Sequence, residues 1–238
     1  MSEEFIEETP AGRRPYARTL FALQALLIVC VTGWVLDLQR SLLGLNLYTE
    51  QLLLAVLGFA IAICFLVAPA SPRFKGRVPW WDLALALAGL ALCLYLAWRY
   101  PELSDRLTTR PLDGILMSAA LALLVLEGTR RMAGFSLVGF TLAGVVYAML
   151  GHYLPGVFQA RPVDFTRLLV YLSLDTNALL GTSLQIGIIV IVPFIVLGQV
   201  LGRCGGSEFF TDLARAWMGR YRGGSAKVAV VGSAFFGM

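Results

Sequence analysis

Six apolar runs, each close to the length of a membrane-spanning helix, constrain this chain more than any other feature. They cover residues 19–36, 51–68, 80–98, 112–128, 135–154 and 184–201. A helix rises about 1.5 Å per residue, so about 20 apolar residues cross a hydrocarbon layer about 30 Å thick. Lipid offers no partner to backbone N–H and C=O groups, so such runs must close their own hydrogen bonds as helices. The fourth run is the shortest and carries Asp113 near its start. Hydrophobic residues make up 58% of the chain and charged residues 14%. A soluble domain carries about 25% charged residues. The expected fold is an all-α integral membrane protein. A seventh run starts at Val228 and the sequence stops at Met238, which reads as a span cut short, in a fragment or a truncated reading frame.

Two further stretches are amphipathic. Phe165, Leu168, Leu169 and Leu172 repeat at helical spacing beside Arg167 and Asp175, as in an interfacial or re-entrant helix. Phe209, Phe210, Leu213 and Trp217 form a second stripe opposed by Glu208, Asp212 and Arg215. Ser207 is the expected N-cap of that helix and Gly219 its expected stop. Its stripe suits the membrane surface.

Lys and Arg set the orientation. With the N-terminus inside and six alternating spans, the inner segments hold Arg13, Arg14, Arg18, Arg73, Lys75, Arg77, Arg130, Arg131, Arg203, Arg215, Arg220, Arg222 and Lys227. The outer ones hold only Arg40, Arg99, Arg106, Arg110, Arg161 and Arg167. The bias places the N-terminus in the cytoplasm. Trp34, Trp80, Trp81 and Trp98 fall at span ends, where indoles favour the interface. The first run follows Arg13, Arg14 and Arg18 but has an acidic stretch before it and no small-residue cleavage site after it. It reads as a retained span rather than a signal peptide.

The net charge of +4 is spread between apolar runs, which is a topological pattern and not a nucleic-acid footprint. There is no Walker A motif, no GxSxG and no HExxH. Cys30, Cys64, Cys93 and Cys204 lack metal or redox spacing, and His152 is the single histidine. Neither a zinc site, nor haem, nor an iron–sulfur cluster is expected. The chain reads as a non-enzyme without a cofactor.

Ionisable residues within spans are costly and often functional. Asp82 and Asp113 lie near span starts, within reach of water. Glu127 sits beside Arg130 and Arg131, as a local interfacial ion pair or as a contact between helical modules. Gln24, Gln185 and Gln199 are candidates to bridge helices. Pro193, flanked by Gly187 and Gly198 in the sixth run, removes a helical hydrogen bond and predicts a kink. Broken helices of this kind line the sites of secondary transporters.

Three stretches of the second half resemble a known family. The first is Leu124-Val125-Leu126-Glu127-Gly128-Thr129-Arg130-Arg131, followed by an apolar run to Gly151-His152-Tyr153-Leu154-Pro155-Gly156. The second joins Phe194-Ile195-Val196-Leu197-Gly198-Gln199 to Gly205-Gly206-Ser207-Glu208-Phe209-Phe210. The third, and most specific, runs from Gly219-Arg220-Tyr221-Arg222-Gly223-Gly224-Ser225-Ala226-Lys227 to Ala234-Phe235-Phe236-Gly237-Met238. Together they resemble the fused permease of tripartite ATP-independent periplasmic (TRAP) transporters of the TAXI type.

The resemblance implies residues 1–131 as a small-subunit-like module of four helices and residues 132–238 as the start of a large-subunit-like transport module. It implies uptake of organic anions, carboxylates among them, driven by a sodium or proton gradient without ATP hydrolysis. The implied partners are a periplasmic TAXI-type binding protein, the bilayer and the remainder of the large module, and the implied location is the bacterial inner membrane. Ion and substrate ligands are expected beyond Met238. Within this sequence Pro193, Gly198, Arg222, Gly223, Gly224, Phe236 and Gly237 mark the transport module, with Arg222-Gly223-Gly224 as the turn that launches the seventh helix. A truncated scaffold, or the remnant of a broken gene, is the rival reading.

Overall fold

Apolar runs of this length close their backbone hydrogen bonds as helices, and a computed structural model places a helical stretch at each of them. The structure describes residues 17–41, 44, 46–68, 79–106, 112–153, 155, 159, 161, 163–219 and 223–236. Among these, helices and turns make up the whole architecture. Six helical stretches are long and apolar enough to cross a membrane: Arg18–Val35, Thr49–Val67, Trp80–Leu103, Leu112–Ala133, Phe135–Tyr153 and Thr182–Arg203. The chain is an all-α integral membrane protein. It divides into two units, Met1–Ile189 and Val190–Met238.

In the first unit, α1 (Ala17–Val35), a single turn α2 (Leu38–Ser41), α3 (Thr49–Val67), α4 (Trp80–Arg106), α5 (Leu112–Ala133) and α6 (Phe135–Leu150) follow in order. The core is the α3–α4 pair, against which α1 and α5 pack. Leu52, Leu53, Leu54, Val56, Phe59, Ile61, Ala62 and Phe65 of α3 are buried, as are Ala86, Cys93, Leu96 and Tyr100 of α4. Lipid supplies no hydrophobic drive between spans, so their close approach depends on small residues. Here glycines do this from both sides. A Cβ on Gly58 would stand 2.7 Å from Cys93 Cβ, and one on Gly89 2.7 Å from Ile61 Cγ2.

At one end of this pair Gln51 carries two jobs. Its Oε1 accepts from the Tyr48 N–H at 2.9 Å, capping α3, and its Nε2 donates to the Ala97 carbonyl of α4 at 2.9 Å. The inter-helix glutamine is thus Gln51, which opens a span, and not one of the sequence candidates Gln24, Gln185 and Gln199.

The short amphipathic helix α7 (Phe165–Leu174) docks on α5. It buries Leu168, Val170, Ser173 and Leu174, and the Ser173 hydroxyl donates to the Ser118 carbonyl at 2.9 Å. Ten residues reach only about 15 Å, too short to span. The fourth run is longer than the apolar pattern, because α5 continues through Glu127, Arg130 and Arg131 to Ala133. Ion pairs one turn apart keep those charged residues helical.

In the second unit, α9 (Val192–Arg203), α10 (Gly206–Met218) and α11 (Gly224–Phe236) follow one another, and α10 packs on both of its neighbours. Helix α10 buries Ala214 and turns Phe209, Leu213 and Trp217 outward at four-residue spacing. Ser207 is not its cap. Gly205, at φ 81°, is the N-cap, and Ser207 is the second residue of the helix. A left-handed cap excludes a β-branched or bulky side chain but suits glycine. Gly219 is the C-cap, as the sequence predicts, in a right-handed conformation.

Candidate functional site

Two places gather the chemistry: a buried ion cluster where α3 ends, α4 begins and α5 ends, and the broken sixth span with the turns that follow it.

Arg131 is the centre of the first. Its side chain is 3% exposed and that of Asp82 is 0% exposed, with Nη2 2.9 Å from Asp82 Oδ1. This contact is an ion pair by distance without an aligned hydrogen bond at that oxygen. Nε of Arg131 donates to Glu127 Oε1 at 2.8 Å, and Nη1 donates to the Ala68 carbonyl at 3.2 Å. The guanidinium lies over the Phe65 ring, 4.6 Å from its centroid. One planar fork therefore ties three helix ends together, and only Arg offers donors in that arrangement. The Cys64 thiol adds a weak bond to the Gly128 carbonyl at 3.7 Å.

Glu127 holds Arg130 as well, through Nε at 2.7 Å and Nη2 at 2.6 Å. Glu127 makes the local pair with Arg130, and its second partner, Arg131, lies on the same helix; the link to α3 and α4 is made by Arg131. Asp82 does not reach water, contrary to expectation. An unpaired buried carboxylate is expensive, so it takes the guanidinium that α5 brings to the same end. Asp113 is exposed, as predicted from its position at a span start.

The sixth span is broken where Pro193 demands it. Helix α8 (Thr182–Ile186) passes into a π-helical turn at Gly187–Ile191 before α9 resumes at Val192. Pro193 stands in the first turn of α9, where it has no N–H to offer and its ring crowds the carbonyl four residues back. A π turn widens the helix at that point and takes up the mismatch. With Pro193→Ala the segment is expected to close toward regular α geometry. Backbone amides over 189–197 should then exchange about fivefold more slowly, one hydrogen bond being regained. Unchanged exchange would mean that the π turn does not depend on this proline.

A Cβ on Gly198 would meet nothing within 4 Å among the described residues. Gly223 sits at φ 74°, and its carbonyl accepts from the Lys227 N–H at 3.2 Å. Gly224 opens α11, and a Cβ there would stand 2.7 Å from the Gly219 carbonyl oxygen. The two glycines thus meet different demands, one a left-handed conformation and the other a close backbone approach. Gly223→Ala is expected to lose about 1–2 kcal/mol from the left-handed strain alone, read as a lower melting temperature of the purified chain; an unchanged melting point would show that the turn relaxes freely. Phe236 ends α11. Arg222 and Gly237 lie outside the described residues. Among the described residues no group of His, Cys, Asp and Glu is arranged to hold a metal ion.

Six spans, glycine-mediated helix contacts and a Pro-broken helix with a π turn define a multi-pass α-helical membrane protein with one broken span. Residues 120–238 match the family model described as Tripartite ATP-independent periplasmic transporter, DctM component. The match takes in half of the chain, and the chain belongs to this family. It begins inside α5, so it includes Glu127, Arg130 and Arg131 and excludes Asp82, the partner of Arg131. No curated protein and no solved structure matches the chain.

Proposed function

We propose that this TRAP permease component takes up organic anions, carboxylates in particular, in symport with sodium ions or protons and without ATP hydrolysis. The observation that carries the reading is the family match over residues 120–238. In it, residues 1–131 serve as a small-subunit-like module, and residues 132–238 as the N-terminal part of the transport module. Pro193 and Gly198, with the turn at Arg222, Gly223 and Gly224 and the segment at Phe236 and Gly237, belong to the moving part. The membrane is the bacterial inner membrane, with the N-terminus cytoplasmic as the Lys and Arg bias favours. The substrate arrives on a periplasmic binding protein, of the TAXI type in this reading.

Uptake into proteoliposomes tests it. The permease is reconstituted with a candidate binding protein and a radiolabelled carboxylate, under a sodium gradient, a proton gradient or neither. Uptake that needs both the binding protein and one gradient is the expected result. Uptake indifferent to both gradients, or driven by added ATP, would overturn the proposal.

A further inference from the structure

Beside the Arg131 cluster lies an open groove of about 350 Å³, walled by Leu85, Leu123, Leu124, Leu126 and Val138 and ending at Glu127 and Arg130. It belongs to membrane-spanning stretches of α4, α5 and α6, so its surroundings are hydrocarbon along the wall and headgroups at the charged end. Leu123 is 67% exposed beside it.

The charged end is specific in what it leaves open. Glu127 Oε1 accepts from Arg130 Nη2 at 2.6 Å and from Arg131 Nε at 2.8 Å, which fills both of its lone pairs. Glu127 Oε2 accepts only Arg130 Nε, at 2.7 Å, and keeps one acceptor position. Arg130 commits Nε and Nη2 to Glu127, while the Nη1 edge makes no hydrogen bond among the described residues. Phe135 lies under the guanidinium, 5.5 Å from centroid to Cζ, and steadies its plane. Both side chains are about one-third exposed, at 31% and 30%. The end of the groove therefore presents one donor edge for an anion and, next to it, one acceptor for an N–H.

We propose that this groove is a binding site for an aminophospholipid of the membrane. An acyl chain lies along the leucine wall. The headgroup phosphate accepts from the Nη1 edge of Arg130, and the primary ammonium donates to Glu127 Oε2. A free phosphate has no use for the apolar wall and meets Glu127 without a compensating cation. Asp82, Glu127, Arg130 and Arg131 sum to no net charge, so a zwitterionic headgroup suits the cluster better than an anionic one.

The test is native mass spectrometry of the full 238-residue chain, delipidated in detergent and titrated with phosphatidylethanolamine, phosphatidylcholine or phosphatidylglycerol of equal chain length. One phosphatidylethanolamine per chain is the expected high-affinity adduct. Phosphatidylcholine, with no N–H, should bind about tenfold more weakly, as the loss of one charge-assisted hydrogen bond implies. Arg130→Gln should weaken the adduct by about the same factor. Val138→Trp fills the groove without touching the ion pairs, and it should abolish the adduct even if Arg130→Gln fails to fold. No saturable adduct, or one that survives Val138→Trp, would overturn the site. Equal binding of phosphatidylglycerol would overturn the headgroup assignment.

Discussion

Arg131→Ala is expected to destabilise the first unit by about 3–5 kcal/mol, the range for removing one partner of a buried ion pair. The loss is large because the deletion strands several groups at once. Asp82, fully buried, loses its cation. Glu127 keeps Arg130 but loses the second guanidinium, and the Ala68 carbonyl at the end of α3 loses its donor. Phe65 is left facing a void. Arg131→Lys keeps the charge but not the fork, so it should recover only part of the loss. Unfolding of the purified chain in mixed micelles, followed by tryptophan fluorescence, measures this. The companion Asp82→Asn removes the buried negative charge, and the double variant should be less damaged than the sum of the singles. Strict additivity would mean that the pair is not coupled, and a loss under about 1 kcal/mol would place Arg131 with ordinary surface pairs.

The second large effect is expected at Gly58. An alanine there puts Cβ 2.7 Å from Cys93 Cβ and 3.6 Å from the Leu90 Cα. Cys93 Cβ is fixed to the α4 backbone and cannot swing aside, so α3 and α4 must separate. Overpacking of this kind costs about 1–3 kcal/mol, and Gly58→Val should exceed Gly58→Ala. Cys93→Gly in the same chain makes room and should restore most of the stability. Gly89→Ala meets the tip of Ile61 instead, and a side-chain methyl gives way more easily, so its cost should be smaller. Gly198→Ala is the contrast, since its Cβ points into open space among the described residues. There the gain in helix propensity, up to about 1 kcal/mol, should be visible. If Gly58→Ala is as harmless as Gly198→Ala, the α3–α4 contact is looser than described.

The ion cluster and the glycine contacts explain each other. Charged groups inside a membrane protein need a fixed geometry to offset their desolvation. That geometry exists because α3 and α4 approach closely along Gly58 and Gly89 and are tied at the far end by Gln51. The bundle is thus clamped at both ends, by a neutral amide at one and by a buried guanidinium at the other. The clamp also joins residues inside the family match to residues outside it, because Arg131 lies within 120–238 and Asp82 and Phe65 do not.

Much of this was open to a reader of the sequence. Each of the six apolar runs became a span, with ends within a few residues of those predicted. The reason is that lipid forces every backbone hydrogen bond to close within its own run, so length and apolarity determine helices without reference to neighbours. The alternation of spans also implied that the end of the second, the start of the third and the end of the fourth share one side of the membrane. Asp82 and Arg131 could therefore have been grouped, and Gly223 and Gly224 stood out as a turn. Other features were hidden because they depend on distance between helices. The pairing of Asp82 with Arg131 rather than with water needs the side-chain reach across α3, α4 and α5. Gln51 looked like the polar start of a span, and only its 2.9 Å contact with Ala97 reveals a bridge. Gly58 and Gly89 read as unremarkable glycines in apolar runs until Cys93 and Ile61 appear opposite them. Pro193 announced a defect, and the structure shows it as a π turn at Gly187–Ile191. Sequence alone determined which segments are helical, because the solvent imposes that locally; tertiary structure decided which polar groups meet, because buried charges choose partners only once helix packing has fixed what lies within about 3 Å of them.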